Sequence, residues 1–322
     1  MPELIQRDRS DPFHLGERLA QERVGVRSRM AARGGAAIRS WMPDQHRSFF
    51  AALPFVLTAA TDGDGWPGGT VLEGAPGFVS SPDPRTLHIV TDLRETDDPV
   101  VSRLVEGAGI GMLGIDLATR RRNRVNGRLM RLGRDGLDIA VEQSFGNCAQ
   151  YIQGREVMPT EPAATVTGPV SLAGIVADAR RLIAASDTFF VASSAGDAAD
   201  ISHRGGRPGF VRMDGDVLTI PDFSGNRYFN TLGNFLISPR AGLLFIDFAH
   251  GDLLNLSGTV EIVWNSDEVH QFAGAERLWR VRVSQGWRRR NALTLRWAFR
   301  DFAPTTEHTG TWDLSTMIHE YR

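Results

Sequence analysis

The chain has 322 residues, 42% hydrophobic and 23% charged, with 36 basic side chains against 38 acidic ones and a formal net charge of -2. Such a composition suits about two globular domains of roughly 100–200 residues each, and its near-neutral balance excludes a strongly basic nucleic-acid-binding chain. The single cysteine, Cys148, excludes an internal disulfide framework and a four-cysteine zinc site.

The sequence contains no lysine, so neither a lysine Schiff base nor a phosphate-loop lysine exists here. Residues 1–9 are polar, and no run approaches the roughly 18 apolar residues of a membrane span. The expectation is a cytoplasmic protein with neither membrane nor nucleic acid as partner. In chain order, residues 12–33 are charged and helical in pattern, read as a surface helix within an N-terminal extension over 1–47. Residues 55–60 form a short apolar run closed by an Asp/Gly turn cluster, the pattern of a strand.

Gly109-Ile110-Gly111-Met112-Leu113-Gly114 matches the dinucleotide-binding spacing. That fingerprint requires a strand before the glycines and a helix after them. Here the order is reversed, a short helical stretch over 99–105 preceding a strand, so these are read as small residues at a strand entry. Residues 135–155 and 267–285 place apolar side chains at helical spacing, and the Pro-, Thr- and Ala-rich stretch within 156–178 reads as a linker.

Internal similarity organises the rest. Gly74-Ala75-Pro76-Gly77-Phe78-Val79 recurs as Gly206-Arg207-Pro208-Gly209-Phe210-Val211, and Ala108-Gly109 with Ile115-Asp116 recurs as Ala241-Gly242 with Ile246-Asp247. Asn126-Gly127 echoes in Ser257-Gly258 in the same order. Two copies of one β-rich unit therefore span roughly 48–134 and 179–263, within a first unit over 48–155 and a second over 179–322. In the second copy, residues 209–221 read as a hairpin about Asp214-Gly215, residues 242–248 and 253–263 as another, and residues 230–237 as a short helix stopped before Pro239. The expected fold is mainly β, with two tandem antiparallel split β-barrels and flanking helices.

The candidate site lies in the second copy. Asp200-Ile201-Ser202-His203-Arg204-Gly205-Gly206 is followed by Ser224-Gly225-Asn226-Arg227-Tyr228-Phe229-Asn230. Guanidinium forks, hydroxyl and amide donors and closely approaching glycine backbone are what a phosphate requires, and Asn230 would open a helix whose free N–H groups favour an anion. In the first copy residues 91–99 instead carry four carboxylates, which would repel a phosphate. The run Arg120-Arg121-Arg122-Asn123-Arg124 could reach across to a ligand held by the second copy if the barrels pack face to face. The eight histidines show no i,i+3 or i,i+4 pair, so no metal site is expected. Cys148 sits in an amide-rich segment and is read as a candidate pocket wall.

These residues resemble the pyridoxamine 5'-phosphate oxidase-like split-barrel family, which binds FMN. The match runs through Asp200-x-Ser202-x-Arg204-Gly205-Gly206-x-Pro208-Gly209, Ile220-Pro221-Asp222, Gly225-Asn226-Arg227 and Asn234-x-x-x-x-Pro239-Arg240, and the first copy resembles a subgroup with two barrels in one chain. The resemblance implies Ser202, Arg204, Gly206 and Pro221 beside a flavin, Asn226 and Arg227 on its phosphate, Asn230 and Asn234 behind them, and Arg121 contributed from the first barrel. It implies an FMN-dependent oxidoreductase working between a donor such as NAD(P)H and a small acceptor, with His203 or Cys148 tuning the ring or delivering a proton. A homodimer is compatible with it, and a flavin, haem or deazaflavin storage protein is the alternative. The chain departs from the parent oxidase at Tyr228, where a second cation is expected, and at residues 312–322, which lack the Arg-Leu-x-Pro pattern. Vitamin B6 oxidation is therefore not expected.

Overall fold

The structure is a computed structural model that describes residues 11–91, 97–158 and 168–312. Three helices come first, α1 (Leu15–Arg23), α2 (Arg27–Ala37) and α3 (Asp44–Ala51). A seven-stranded antiparallel sheet follows, made of β1 (Phe55–Thr61), β2 (Pro67–Glu73), β3 (Val79–Ser80), β4 (Thr86–Val90), β5 (Gly109–Asp116), β6 (Arg121–Gly133) and β7 (Gly136–Gly146). Strands β8 (Gly154–Met158) and β9 (Val170–Leu172) and helix α4 (Ala177–Ala185) lead to the second sheet. It comprises β10 (Thr188–Ala195), β11 (Ala198–Gly205), β12 (Arg212–Asp214), β13 (Val217–Phe223), β14 (Arg240–Asp247), β15 (Asp252–Val263) and β16 (Ala275–Arg289), with β9 paired to β16 as an eighth strand. Helix α5 (Asn230–Ile237) crosses between β13 and β14, the short α6 (Asp267–Gln271) precedes β16, and β17 (Arg296–Asp301) pairs with β8.

The first sheet runs in the order β2-β1-β5-β6-β7-β4-β3 and the second in the order β11-β10-β14-β15-β16-β13-β12, the same sequence of strands shifted by nine. Register agrees as well. Leu57 faces Val71 on one side and Leu113 on the other, as Phe190 faces His203 and Leu244. The chain folds as two antiparallel split β-barrels in tandem.

The three largest of four apolar clusters among the described residues hold the barrels together. One fills the first barrel around Phe50, Val56, Leu87 and Ile139, and a second fills the other around Phe189, Leu243, Phe245 and Trp279. A third joins the barrels, with Leu57, Leu113 and Ile115 packed against Phe190, Ile201 and Leu244. Strands β1 and β10 are consequently buried on both faces, which is why they read as continuous apolar runs without alternation.

The glycines of the dinucleotide-like spacing belong to this junction. A Cβ on Gly109 would lie 2.0 Å from the Asp197 carbonyl oxygen, and one on Gly111 2.7 Å from the Asp200 Cα. The ladder counterpart of Gly111 in the second barrel behaves alike, since a Cβ on Gly242 would lie 2.3 Å from the Pro67 carbonyl oxygen. Absent side chains at these positions let the backbones of the two barrels touch.

Two expectations are corrected. Residues 135–155 and 267–285 are mainly strand, not helix: Leu137, Ile139 and Val141 recur at period two, as do Trp279, Val281 and Val283, facing their barrel cores while the residues between turn outward. Residues 12–33, read as one surface helix, fall in two helices, of which α2 is largely exposed but α1 is not a surface element. Its Glu17, Ala20 and Gln21 are buried, and Gly16 meets Gly233 so closely that a Cβ there would sit 2.0 Å from the Gly233 carbonyl oxygen, bringing α1 onto α5. The helix over 230–237 forms as read; the hairpin forms with its turn one residue later, at Gly215-Asp216, and its first strand shortened to Arg212–Asp214. Among the described residues, no helix is long and apolar enough to cross a membrane.

Candidate functional site

A cleft, with about 840 Å³ of non-atom space counted out into the open solvent at its mouth, lies where the first barrel meets the loops of the second. Strand β11 supplies Ser202, His203 and Arg204, the turn after β13 supplies residues 224–227, and the start of α5 supplies Asn230 and Thr231. The first barrel contributes Arg122 and Arg124 from β6, and Asn147, Cys148, Gln150 and Tyr151 from the segment after β7. The site therefore requires both halves of the chain.

The turn is shaped by two left-handed residues, Arg227 (φ 66°) and Phe229 (φ 62°), while the Asn226 side chain accepts from the Tyr228 N–H at 3.1 Å. That chain reversal brings the N-terminus of α5 to the cleft without a side-chain cap, leaving early helical N–H groups open to a ligand. Tyr228 does not enter the cleft: its ring packs between Phe13 and Phe145, with centroids 5.5 and 5.9 Å away. The aromatic residue standing where a second cation was expected thus anchors the turn to the N-terminal segment.

Five guanidiniums, those of Arg122, Arg124, Arg204, Arg227 and Arg277, line the cleft against two carboxylates, Asp222 and Glu276. Arg124, 4% exposed, donates to Ser202 Oγ at 2.6 Å and to Asn230 Oδ1 at 2.9 Å and pairs with Asp200 at 3.1 Å. It binds the first barrel to both β11 and α5. Arg227 is held through both terminal nitrogens by the Glu276 carboxylate, which also accepts from Arg277 at 2.8 Å; Arg277 in turn donates to Asp222 at 2.5 Å. Arg204 lies 3.9 Å from Asp222 and shares that carboxylate only loosely.

Polar capacity is left over. The Nε atoms of Arg124 and Arg204 and Oδ1 of Asn147 are buried without a hydrogen-bond partner. Burial lowers the affinity of Arg122 and Arg204 for their protons from the ordinary guanidinium range, a cost that an anion among them would relieve. His203 carries no charge at neutral pH: burial first, then the charges of Arg122, Arg204 and Arg155, push its pKa well below 6.5. Because Arg122 Nη1 donates to its Nδ1 at 3.0 Å, the ring proton is assigned to Nε2, which is buried and unpaired.

The structure gathers Ser202, Arg204, Pro221, Asn226, Arg227 and Asn230 on this cleft. It places three other named residues elsewhere. Gly206 backs the site, its N–H bonded to the Asp187 carbonyl at 3.0 Å. Asn234 is turned toward α1, where His14 Nε2 lies 2.9 Å from its Oδ1, and it donates to Ser193 Oγ at 2.9 Å. Arg121 is exposed with its guanidinium over the Phe49 ring at 5.2 Å; Arg122 and Arg124 reach the cleft instead. Strand parity explains the difference, since Val125 faces the first barrel core and puts Arg121 on that side and its even-numbered neighbours on the other. Sequence reasoning also missed Glu276 and Arg277, which lie 49 and 50 residues beyond the turn on a segment read as helix.

At the ladder positions matching Ser202 and Arg124, the first barrel has Thr70 and the second strand pair has Asn255. There Thr70 donates to Asp98, whose buried carboxylate also takes a 2.6 Å bond from Arg289, and Asn255 donates to the Gly69 carbonyl at 2.6 Å. An internal ion pair occupies the counterpart of the cleft. Of the acidic stretch read in the first copy, residues 92–96 lie outside the described residues, as do residues 313–322 of the C-terminal segment.

No protein-family model matches the chain, and no curated protein matches it. Among solved structures it is similar to HupZ of Group A Streptococcus, at 14% identity over 34% of this chain and 89% of that one, with a TM-score of 0.29. A candidate pyridoxamine 5'-phosphate oxidase of Lactobacillus delbrueckii matches at 15% identity over 33% of this chain and 95% of its own, TM-score 0.27. An FAD-binding protein of Mesorhizobium loti matches at 10% identity over 38% and 97%, TM-score 0.29. Each of these likenesses covers about a third of this chain.

Proposed function

We propose that the cleft binds FMN, one molecule per chain, and that the protein is an FMN-dependent oxidoreductase. The observation that carries this is the convergence of five guanidiniums from both barrels against two carboxylates, with buried N–H groups on Arg124 and Arg204 still unpaired. Such a set suits a phosphomonoester, whose oxygens take charge-assisted bonds from planar guanidinium forks and helix N–H groups.

The chain's own residues divide the work. Asn226, Arg227 and the opening of α5 hold the phosphate end, with Arg204 and Ser202 along the β11 edge toward the other end. Arg124 positions Ser202 and Asn230 from across the barrel junction. His203 offers a neutral N–H beside the site, and Arg122 fixes its tautomer. The segment carrying Cys148 and Tyr151 walls the cleft. A bound flavin would supply the two-electron chemistry, tuned by the hydrogen bonds and charges around it. We assign the tandem barrels to duplication of one unit, and the Asp98–Arg289 pair to loss of the equivalent site in the first.

The test is spectroscopic. Purified protein should carry a yellow chromophore released on denaturation as FMN, bleached anaerobically by NADH or NADPH and restored by air. A protein that takes up FMN but is never bleached would be a binding or storage protein; one that takes up none would refute the assignment.

A further inference from the structure

Among the cleft's groups, Glu276 is placed least like a ligand donor. It is a carboxylate in an anion site, and it occupies both terminal nitrogens of Arg227, the guanidinium at the centre of the turn. It is no distant surface charge: it lines the cleft, is about one-quarter exposed, and is shared with Arg277. We propose that Glu276 is a specificity-determining residue, an internal carboxylate seated in the Arg227 fork that an incoming phosphate must displace. This rests on the reading of the cleft as an FMN site and adds to it how that site chooses among anions.

The chemistry follows from the fork. A guanidinium binds carboxylate and phosphate with the same two parallel N–H bonds, so the two compete directly for it. Glu276 carries a single negative charge and is already tethered, so a free monoanion gains nothing by replacing it. A phosphomonoester near neutral pH carries up to two charges and three acceptor oxygens. It can take the fork and also engage the Asn226 side chain and the N–H groups of α5, which the fixed carboxylate does not use. Once displaced, Glu276 keeps a partner in Arg277, so the exchange strands no carboxylate. The alternating row Arg227, Glu276, Arg277, Asp222 thus keeps the turn formed without ligand and sets a threshold that selects dianionic tails.

The test compares FMN with riboflavin, which lacks the phosphate, on the full chain and on Glu276→Gln, with Arg227→Ala and the double variant completing the cycle. Equilibrium titration by flavin fluorescence should show Glu276→Gln binding FMN about tenfold more tightly than wild type, one charge-assisted bond no longer being exchanged. Riboflavin affinity should move less than twofold, and the gain should be largely lost in the Arg227→Ala background. Unchanged or weaker FMN binding by a folded Glu276→Gln protein would overturn the proposal, as would an equal gain for riboflavin or a gain that survives loss of Arg227. If wild type binds neither flavin, the FMN reading fails and this inference with it. If wild type binds FMN and the variant shows no phosphate-dependent gain, only the role of Glu276 is refuted.

Discussion

Arg227 shows how a residue can be legible by type and illegible by circumstance. Its guanidinium, in a Ser-Gly-Asn-Arg turn before a helix, marks an anion site from sequence alone. That it stands in a left-handed conformation and is held by Glu276 comes only from the turn's closure against β16. Arg227→Ala should weaken FMN retention by about 10- to 150-fold, the equivalent of roughly 1.5–3 kcal/mol for a charge-assisted contact, measured by equilibrium dialysis. Retention equal to wild type would remove Arg227 from the site. Parity supplies a paired contrast: Arg122→Ala should loosen binding, whereas Arg121→Ala should leave it within about twofold. His203 gives a pH prediction. Its folded pKa is depressed, so as pH falls through 6.5 the unfolded chain takes up a proton that the folded chain refuses, and stability is lost. His46, lowered by burial and by Arg39 and Arg121, adds the same sign. Thermal unfolding between pH 7.5 and 5.5 should show that loss, approaching about 1.4 kcal/mol per pH unit for each histidine, with a shallower slope in His203→Gln. An unchanged slope in that variant would mean that His203 is protonated in the native state.

At the level of elements, the hairpins and α5 were readable to within a residue because local chemistry sets them: Gly215-Asp216 turns, Pro239 stops, and apolar runs end at Asp/Gly clusters. Strands β7 and β16 were not. Their arginines and glutamates break the apolar alternation, so residue spacing alone matched a helix as readily, and only pairing with β6 and β15 decides between them. The N-terminal helix was misplaced for a related reason. Glu17 is buried yet satisfied by the His14 N–H within a local capping box and by Asn230 from across the fold, and only the first of these contacts is written in the local pattern. The same scale explains the glycines once set aside as mere small residues. Gly109→Ala and Gly242→Ala should each destabilise by roughly 1–3 kcal/mol, because a methyl group would strike backbone of the opposite barrel. Gly215→Asn, in an open turn at φ 55°, should cost far less. Urea denaturation of the three variants checks the contrast, and equal losses would mean that the junction yields easily.

Across the whole molecule, two barrels of one strand order meet over an apolar junction and a guanidinium-lined cleft that draws on both. The two like barrels could be anticipated because the repeat is carried by contiguous motifs. The joint ownership of the cleft could not, since Arg124 and Ser202 lie 78 residues apart and meet only through the junction. The two sites that duplication would create are unequal, one lined by guanidiniums and the other filled by Asp98 and Arg289. The most direct measurement of that asymmetry is the stoichiometry of FMN per chain, read from native mass spectra alongside absorbance titration of cofactor-stripped protein. One FMN per chain, lost in Arg227→Ala and retained in Arg289→Ala where the variant folds, is the result predicted. Two FMN per chain, or one that survives removal of Arg227 and disappears with Arg289, would contradict it.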